Sequence, residues 1–64
     1  MFNIQALLVE DYKTIFRGTT GYLPRIGEEI AIGCCLYSIE NIRHFIKEGK
    51  NITPEVHIYL KQII

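Results

Sequence analysis

Lys13, Arg17 and Arg25 fall in a stretch that holds no acid between Asp11 and Glu28, and Tyr12, Phe16 and Tyr22 are interleaved with them. Between the two arginines, Gly18-Thr19-Thr20-Gly21 adds two hydroxyls and backbone N–H groups left open by the glycines. Cations beside open N–H donors are what a phosphate or an acidic side chain requires. Aromatic rings next to them can stack a base or fill a pocket on a partner protein. The candidate binding residues are therefore Tyr12, Lys13, Phe16, Arg17, Thr19, Thr20, Tyr22 and Arg25. The competing description is a β-ribbon whose glycines serve turns and whose charges are solvated. Gly-Thr-Thr-Gly lacks the Lys-Ser/Thr ending of a phosphate-binding P-loop, which makes that architectural description the simpler one.

Other chemistry is poorly supplied. Cys34 and Cys35 are neighbours, so they cannot staple distant parts of the chain, and Cys-x-x-Cys redox spacing is missing. They read as two small residues of a tight hairpin after Gly33, one facing in and one out. Adjacent cysteines rarely both reach one tetrahedral zinc. His44 and His57 would lie opposite each other if the last hairpin turned near Lys50-Asn51, a geometry that seats a metal or a proton switch. Amphipathic surface histidines are the plainer reading. Glu28 and Glu29 alternate faces on a strand and cannot act as a facing carboxylate pair. No Ser-His-Asp or Cys-His arrangement suggests a nucleophile with its base. The sequence thus points to no catalytic residue, no metal and no cofactor.

The elements that must position the candidate residues follow from composition and alternation. Sixty-four residues make one domain, 1–64, and a chain this short buries only about 60% of its unfolded surface. Twelve isoleucines offset that handicap with enough apolar material for one core. Some of it is hard to hide in so small a body, so a homo-oligomer or an adhesive partner surface is expected. Seven basic and seven acidic side chains cancel, which argues against a general nucleic-acid binder. No basic leader or membrane-length apolar run is seen, and the chain reads as cytoplasmic with no membrane partner.

Along the chain, Phe2, Ile4, Ala6 and Leu8 alternate with Asn3 and Gln5, with Leu7 and Val9 adding a second apolar face. Residues 12–25 form a long, partly extended excursion. A short strand, EEIAI, turns at GCC into a longer one, LYSIENIRHFI, and after KEGKN the alternation of Val56, Ile58 and Leu60 against His57, Tyr59 and Lys61 marks a last strand. Two segments also carry helix signals. Ser38 could cap one ending at Gly49, and Thr53 with Pro54 could start another. Their wealth of Ile, Val, Tyr and Phe favours strands. The three-residue step from Ile39 to Ile42 then calls for a β-bulge near Glu40-Asn41. The expected fold is all-β, a small barrel of about five antiparallel strands with at most a short helical turn. In YLPRIGEEI, Pro24 and Gly27 shape the entry to the next strand, with Ile26 and Ile30 pointing inward.

Pro24-Arg25-x-Gly27-Glu28 ahead of a strand, Tyr37-x-Ile39-x-x-Ile42 with His44 close by, and Ile58-Tyr59-Leu60 in a closing strand form a larger pattern. It resembles that of small phage and bacterial proteins with Pro-Arg-x-Gly-Glu, Tyr-x-Val-x-x-Val and Val-x-Val-Tyr-Leu segments. Residues 1–20 and the cysteine pair lie outside the pattern. The resemblance implies an SH3-like barrel and specifies no activity, since such barrels host unrelated functions. The expectation is a non-enzymatic, phage-type inhibitor or adaptor that contacts a host or cellular protein through residues 12–25 and a sheet edge. Two other classes stay open. One is a nucleotide or nucleic-acid-end binder using Arg17, Tyr22 and Arg25; the other is a structural subunit that self-assembles through its isoleucines.

Overall fold

Alternation of apolar and polar side chains decides the architecture. In the computed structural model, which describes residues 2–46 and 54–64, the chain forms β1 (Phe2–Leu8), β2 (Thr14–Thr20), β3 (Glu29–Ile32), β4 (Cys35–Phe45) and β5 (Glu55–Gln62). The described residues contain no helix, so the segments with helical caps in 38–46 and 55–62 are strands. Branched and aromatic side chains, which suit a pleated and half-buried surface, outweigh the capping signals. The turn expected at Lys50-Asn51 and the cap at Thr53 lie outside the described residues.

The strands form one sheet in the order β2-β1-β5-β4-β3, curled into a half-barrel of the kind expected for a small SH3-like barrel. The sheet is mixed rather than wholly antiparallel. β1 runs parallel to β5, with Ile4 beside Val56, Ala6 beside Ile58 and Leu8 beside Leu60. The reason is topological. β1–β2 and β3–β4–β5 are each antiparallel, and the 21–28 connection starts β3 in the direction of β1, so β5, two antiparallel steps on, runs with β1. Residues 21–28 therefore have to travel from one edge of the sheet to the other. They do so across the concave side, where Leu23 packs on the core.

That core is made by one face of three strands: Ile4 and Ala6 of β1, Tyr37 and Ile39 of β4, and Val56, Ile58 and Leu60 of β5. The three β5 side chains are 0–1% exposed, because β5 has a neighbour on each side and the sheet curls over it. Phe2, Leu8, Ile15, Ile30, Ile32, Cys35 and Ile42 line its margin. Ile42 reaches this face because β4 carries the expected bulge. Ile39 pairs with Leu60 and Asn41 with Tyr59, so two steps on β4 oppose one on β5 and the alternation resets. Asn41 Oδ1 accepts the Ile42 N–H at 2.9 Å, and the Ser38 hydroxyl donates to Glu40 at 2.9 Å, fixing side chains on either side of the kink.

Turn chemistry does the rest. Gly33 has φ of 64° and Cys34 has none of that sign, the pattern of a type II′ hairpin between Ile32 and Cys35. Cys34 is exposed, Cys35 is half-buried against the core, and both are free thiols. At 25–28 the Glu28 N–H donates to the Arg25 carbonyl at 3.1 Å, with Gly27 at φ 92° in the third position of a type II turn. The Gly27 N–H also reaches the Ile39 carbonyl, and the Ile39 N–H reaches that of Glu28, each at 2.9 Å, so this turn is locked onto β4. Ile30 packs inward as expected, but Ile26 stands at the tip of the turn and is exposed. A corner residue of a tight turn projects away from both arms, which its apolar character could not reveal.

Two stability experiments follow. A Cβ has open space at both Gly21 and Gly27, but only Gly27 holds a left-handed φ. Gly27→Ala should therefore lower unfolding free energy by about 1 kcal/mol or more, while Gly21→Ala should be neutral or slightly stabilising. Equal effects in urea denaturation would contradict the turn. Burial also pushes the Tyr37 phenol above its usual range, with the neighbouring Cys35 adding to the shift. The unfolded chain ionises this tyrosine first, so stability should fall as pH rises past about 10. Tyr37→Phe should remove part of that fall in urea midpoints taken from about pH 9 to about pH 11.

Candidate functional site

The 12–25 excursion is a paired strand with irregular ends. β2 folds back on β1 with Phe2 opposite Thr20, Asn3 opposite Thr19, Gln5 opposite Arg17 and Ala6 opposite Phe16. A register shift where Ala6 passes to Leu7 leaves Ile15 as the extra residue. Because directly paired residues share a face, the eight candidates separate. Arg17 and Thr19 project to the convex side, while Phe16 projects to the concave side with Ala6. Its ring lies across Gly18, so close that a Cβ there would stand 2.9 Å from the ring tip. Glycine is what lets the phenyl group lie flat along the edge strand.

Residues 9–13 join β1 to β2. The Tyr12 N–H donates to the Leu8 carbonyl at 2.9 Å, the Leu8 N–H to the Lys13 carbonyl at 3.0 Å, and Asp11 accepts the Lys13 N–H at 2.9 Å. Lys13 is exposed there. Tyr12 has φ of 57°, a left-handed conformation that costs a non-glycine residue about 1 kcal/mol or more. Its ring, 67% exposed, meets Tyr59 edge-on at 5.9 Å. The remaining candidates sit at the end of β2 and on the 21–28 connection. The Thr20 hydroxyl is consumed by a local turn, accepting the Tyr22 N–H at 3.0 Å and donating to the Tyr22 carbonyl at 2.6 Å. Tyr22 is 75% exposed; Arg25 is exposed and donates its N–H to Glu28 Oε1.

What the sequence did not bring together is the convex face. The registers align Thr19-Asn3-Glu55-Phe45 in one row, Arg17-Gln5-His57-Arg43 in the next, and Thr14-Leu7-Tyr59-Asn41 in a third. Arg43 lies over the Tyr59 ring at 5.4 Å, on the same aromatic that Tyr12 contacts. His57 Nε2 lies 3.1 Å from Glu55 Oε1, and its ring is 4.2 Å from that of Phe45. Gln5 donates to the Thr14 hydroxyl at 2.7 Å. Two shallow, open hollows result. One of about 450 Å³ is lined by Asn3, Gln5, Arg17, Thr19 and Glu55; the other, about 110 Å³, lies among Val9, Tyr12, Asn41, Arg43 and Tyr59. The outward alternation of His57 and Tyr59 was legible in the sequence. Their rows with Arg17 and Arg43 depend on a parallel β1–β5 register that alternation alone does not set.

The facing-histidine geometry is overturned. His44 pairs with Val56 and His57 with Arg43, so the two imidazoles stand on opposite faces, and the bulge at Glu40 sets this register. Among the described residues, no three His, Cys, Asp or Glu side chains cluster as a metal site would require, and no helix is long and apolar enough to cross a membrane.

Tyr12 supplies a test of the turn. Tyr12→Gly relieves the backbone and loses the ring contact, effects of about 1 kcal/mol each and opposite in sign. Tyr12→Val loses the contact and keeps a worse strain. Valine should therefore be the more destabilising replacement in thermal unfolding, and the reverse order would contradict the left-handed assignment. No protein-family model, curated protein or solved structure matches this chain.

Proposed function

We propose that the protein is a non-enzymatic binding module, an inhibitor or adaptor that acts through protein–protein contact at the edge of β2. The observation that carries this reading is the contrast between the two sheet edges. β3 is four residues long and opens with a glutamate, whereas β2 is seven residues long, holds no proline or lysine, and has one charge, Arg17. Proteins usually blunt an exposed edge with short length, lysine, proline or a covering element, because its unpaired N–H and C=O groups accept any extended chain. β2 has one such device, the irregularity near Ile15 at its first turn of pairing. Among the described residues, no strand pairs with its outer rail from Phe16 onward.

Side chains beside that rail suit a protein partner. Phe16 is 45% exposed on the concave side, Arg17 and Thr19 project on the convex side, and Tyr22 follows. An extended segment laid along β2 would gain main-chain hydrogen bonds from the rail and selectivity from alternate side chains. Phe16 is its apolar anchor. Aromatic anchors of this kind dominate interface energetics, and the glycine under the ring leaves it room to lie along the strand. This account includes four of the sequence-derived candidates, Phe16, Arg17, Thr19 and Tyr22, and leaves the Thr20 hydroxyl in its local turn.

The test is a comparison of the wild type with Phe16→Lys, which removes the anchor and puts a lysine on the edge. Immobilised wild-type protein should retain a host protein that the variant retains at least about tenfold more weakly, a difference of roughly 1.4 kcal/mol. Retention of the same partner by both proteins would overturn the edge as the contact, and a stable dimer of the wild type that Phe16→Lys dissolves would favour self-assembly instead.

A further inference from the structure

The convex face is a second surface, which shares Arg17 and Thr19 with the edge, and its composition is unlike that of a solvated sheet. Across four adjacent strands and the β1–β2 turn it presents two arginines, two tyrosines, a phenylalanine and a histidine, with Leu7, Glu55 and five uncharged polar residues in the same rows. We infer that this face binds single-stranded nucleic acid. Sequence-tolerant recognition of a single strand needs cations for the phosphates and aromatic rings for the bases, and a sheet face displays both on a rigid surface.

The charges are distributed accordingly, even though the whole chain is neutral. Arg17 and Arg43 stand at the two ends of one row, three strand spacings or roughly 14 Å apart. The one carboxylate among those three rows is Glu55, which is held by His57. The other described acids lie off these rows: Glu10 and Asp11 in the β1–β2 turn, Glu28 and Glu29 at the start of β3, and Glu40 at the bulge. Glu29 does face the same side, but in a further row with Ser38 and Lys61. Neutrality of the whole chain thus conceals a cationic row.

The aromatics flank that row. Tyr12 and Tyr59 lie on one side of it, and Phe45 lies on the other. Tyr59 is buried beneath Tyr12 and Arg43, so it serves as a base plate, while Tyr12 offers an exposed ring and Phe45 a partly exposed one. The chain holds Tyr12 in a strained left-handed conformation that a glycine or asparagine would adopt at less cost. In the larger hollow, Asn3, Gln5 and Thr19 supply donors and acceptors for a base edge, and Arg17 supplies a charge for the adjoining phosphate. A protein segment is the less suited occupant, because Tyr59, the aromatic at the centre of the face, is already covered by Tyr12 and Arg43 and offers no open apolar anchor.

The experiment is fluorescence anisotropy with a labelled mixed-sequence DNA decamer, its RNA counterpart, the matching duplex, a mononucleotide and inorganic phosphate. The wild type should bind the single-stranded decamers at low salt and lose affinity as salt rises. Duplex, mononucleotide and phosphate should bind at least about tenfold more weakly, since no one of them engages stacking rings and both arginines together. Arg17→Ala with Arg43→Ala should flatten the salt dependence, and the Arg→Lys pair should restore much of it. Tyr12→Gly should weaken binding about fivefold or more while Tyr12→Phe should not. Phe16→Gln, on the other face and without a change of charge, should leave it unchanged. The inference is overturned if no decamer binds at protein concentrations up to about 10⁻⁴ M, the weak end of sequence-independent binding. It is also overturned if the arginine pair can be removed without effect, if phosphate alone competes as well as the decamer, or if these substitutions abolish capture of a protein partner instead.

Discussion

Three alternate side chains of one strand hold this fold together. Val56, Ile58 and Leu60 are withdrawn from water on the concave side of β5, with Ile4 and Ala6 on one flank and Ile39 and Ile42 on the other. At 25 cal per Å² such side chains each contribute about 2 kcal/mol, and a domain of this size has few others to draw on. β5 has to be central for that burial, so β1 and β4 must both pair with it, and the edges fall to β2 and β3. The connection from one edge to the other and the exposed edge strands follow from that single requirement.

The same requirement separates the two surfaces. Because β5 buries one row of alternate residues, the intervening row of Glu55, His57, Tyr59 and Lys61 is forced onto the convex side. There the flanking strands bring Arg17, Gln5 and Arg43 alongside. A side chain of β2 therefore lies either on the concave side, as the exposed Phe16 does, or in the convex rows, as Arg17 and Thr19 do. One short strand thus serves an edge and a face without either interfering with the packing of the core.

Much of the fold was legible in the residues. The alternation of Phe2, Ile4, Ala6 and Leu8 and that of Val56, Ile58 and Leu60 predicted the two strands that carry the core. The three-residue step from Ile39 to Ile42 predicted the bulge, because only an extra residue returns both isoleucines to one side. The glycines at 27 and 33 marked turns that require their φ values. What alternation could not convey was long-range register. It gives the face of a side chain within its strand but not its neighbour across the sheet, so His44 and His57 were placed opposite one another and the Arg17-Arg43 row went unseen. The helix-capping residues offered a competing reading that gives way for a related reason: a cap is a local preference, and burial of branched side chains in a sheet outweighs it.

The central claim is that the sheet is a half-barrel left open along β2, and amide hydrogen exchange of the free protein tests it most directly. Backbone amides of β5 and of the facing sides of β1 and β4 should exchange slowest, while amides of β2 should alternate, those directed at β1 protected and those on the outer rail exchanging as quickly as a solvated strand allows. Protection of both sets of β2 amides would contradict the account, because it would mean that another strand, from this chain or a second copy, already occupies the edge.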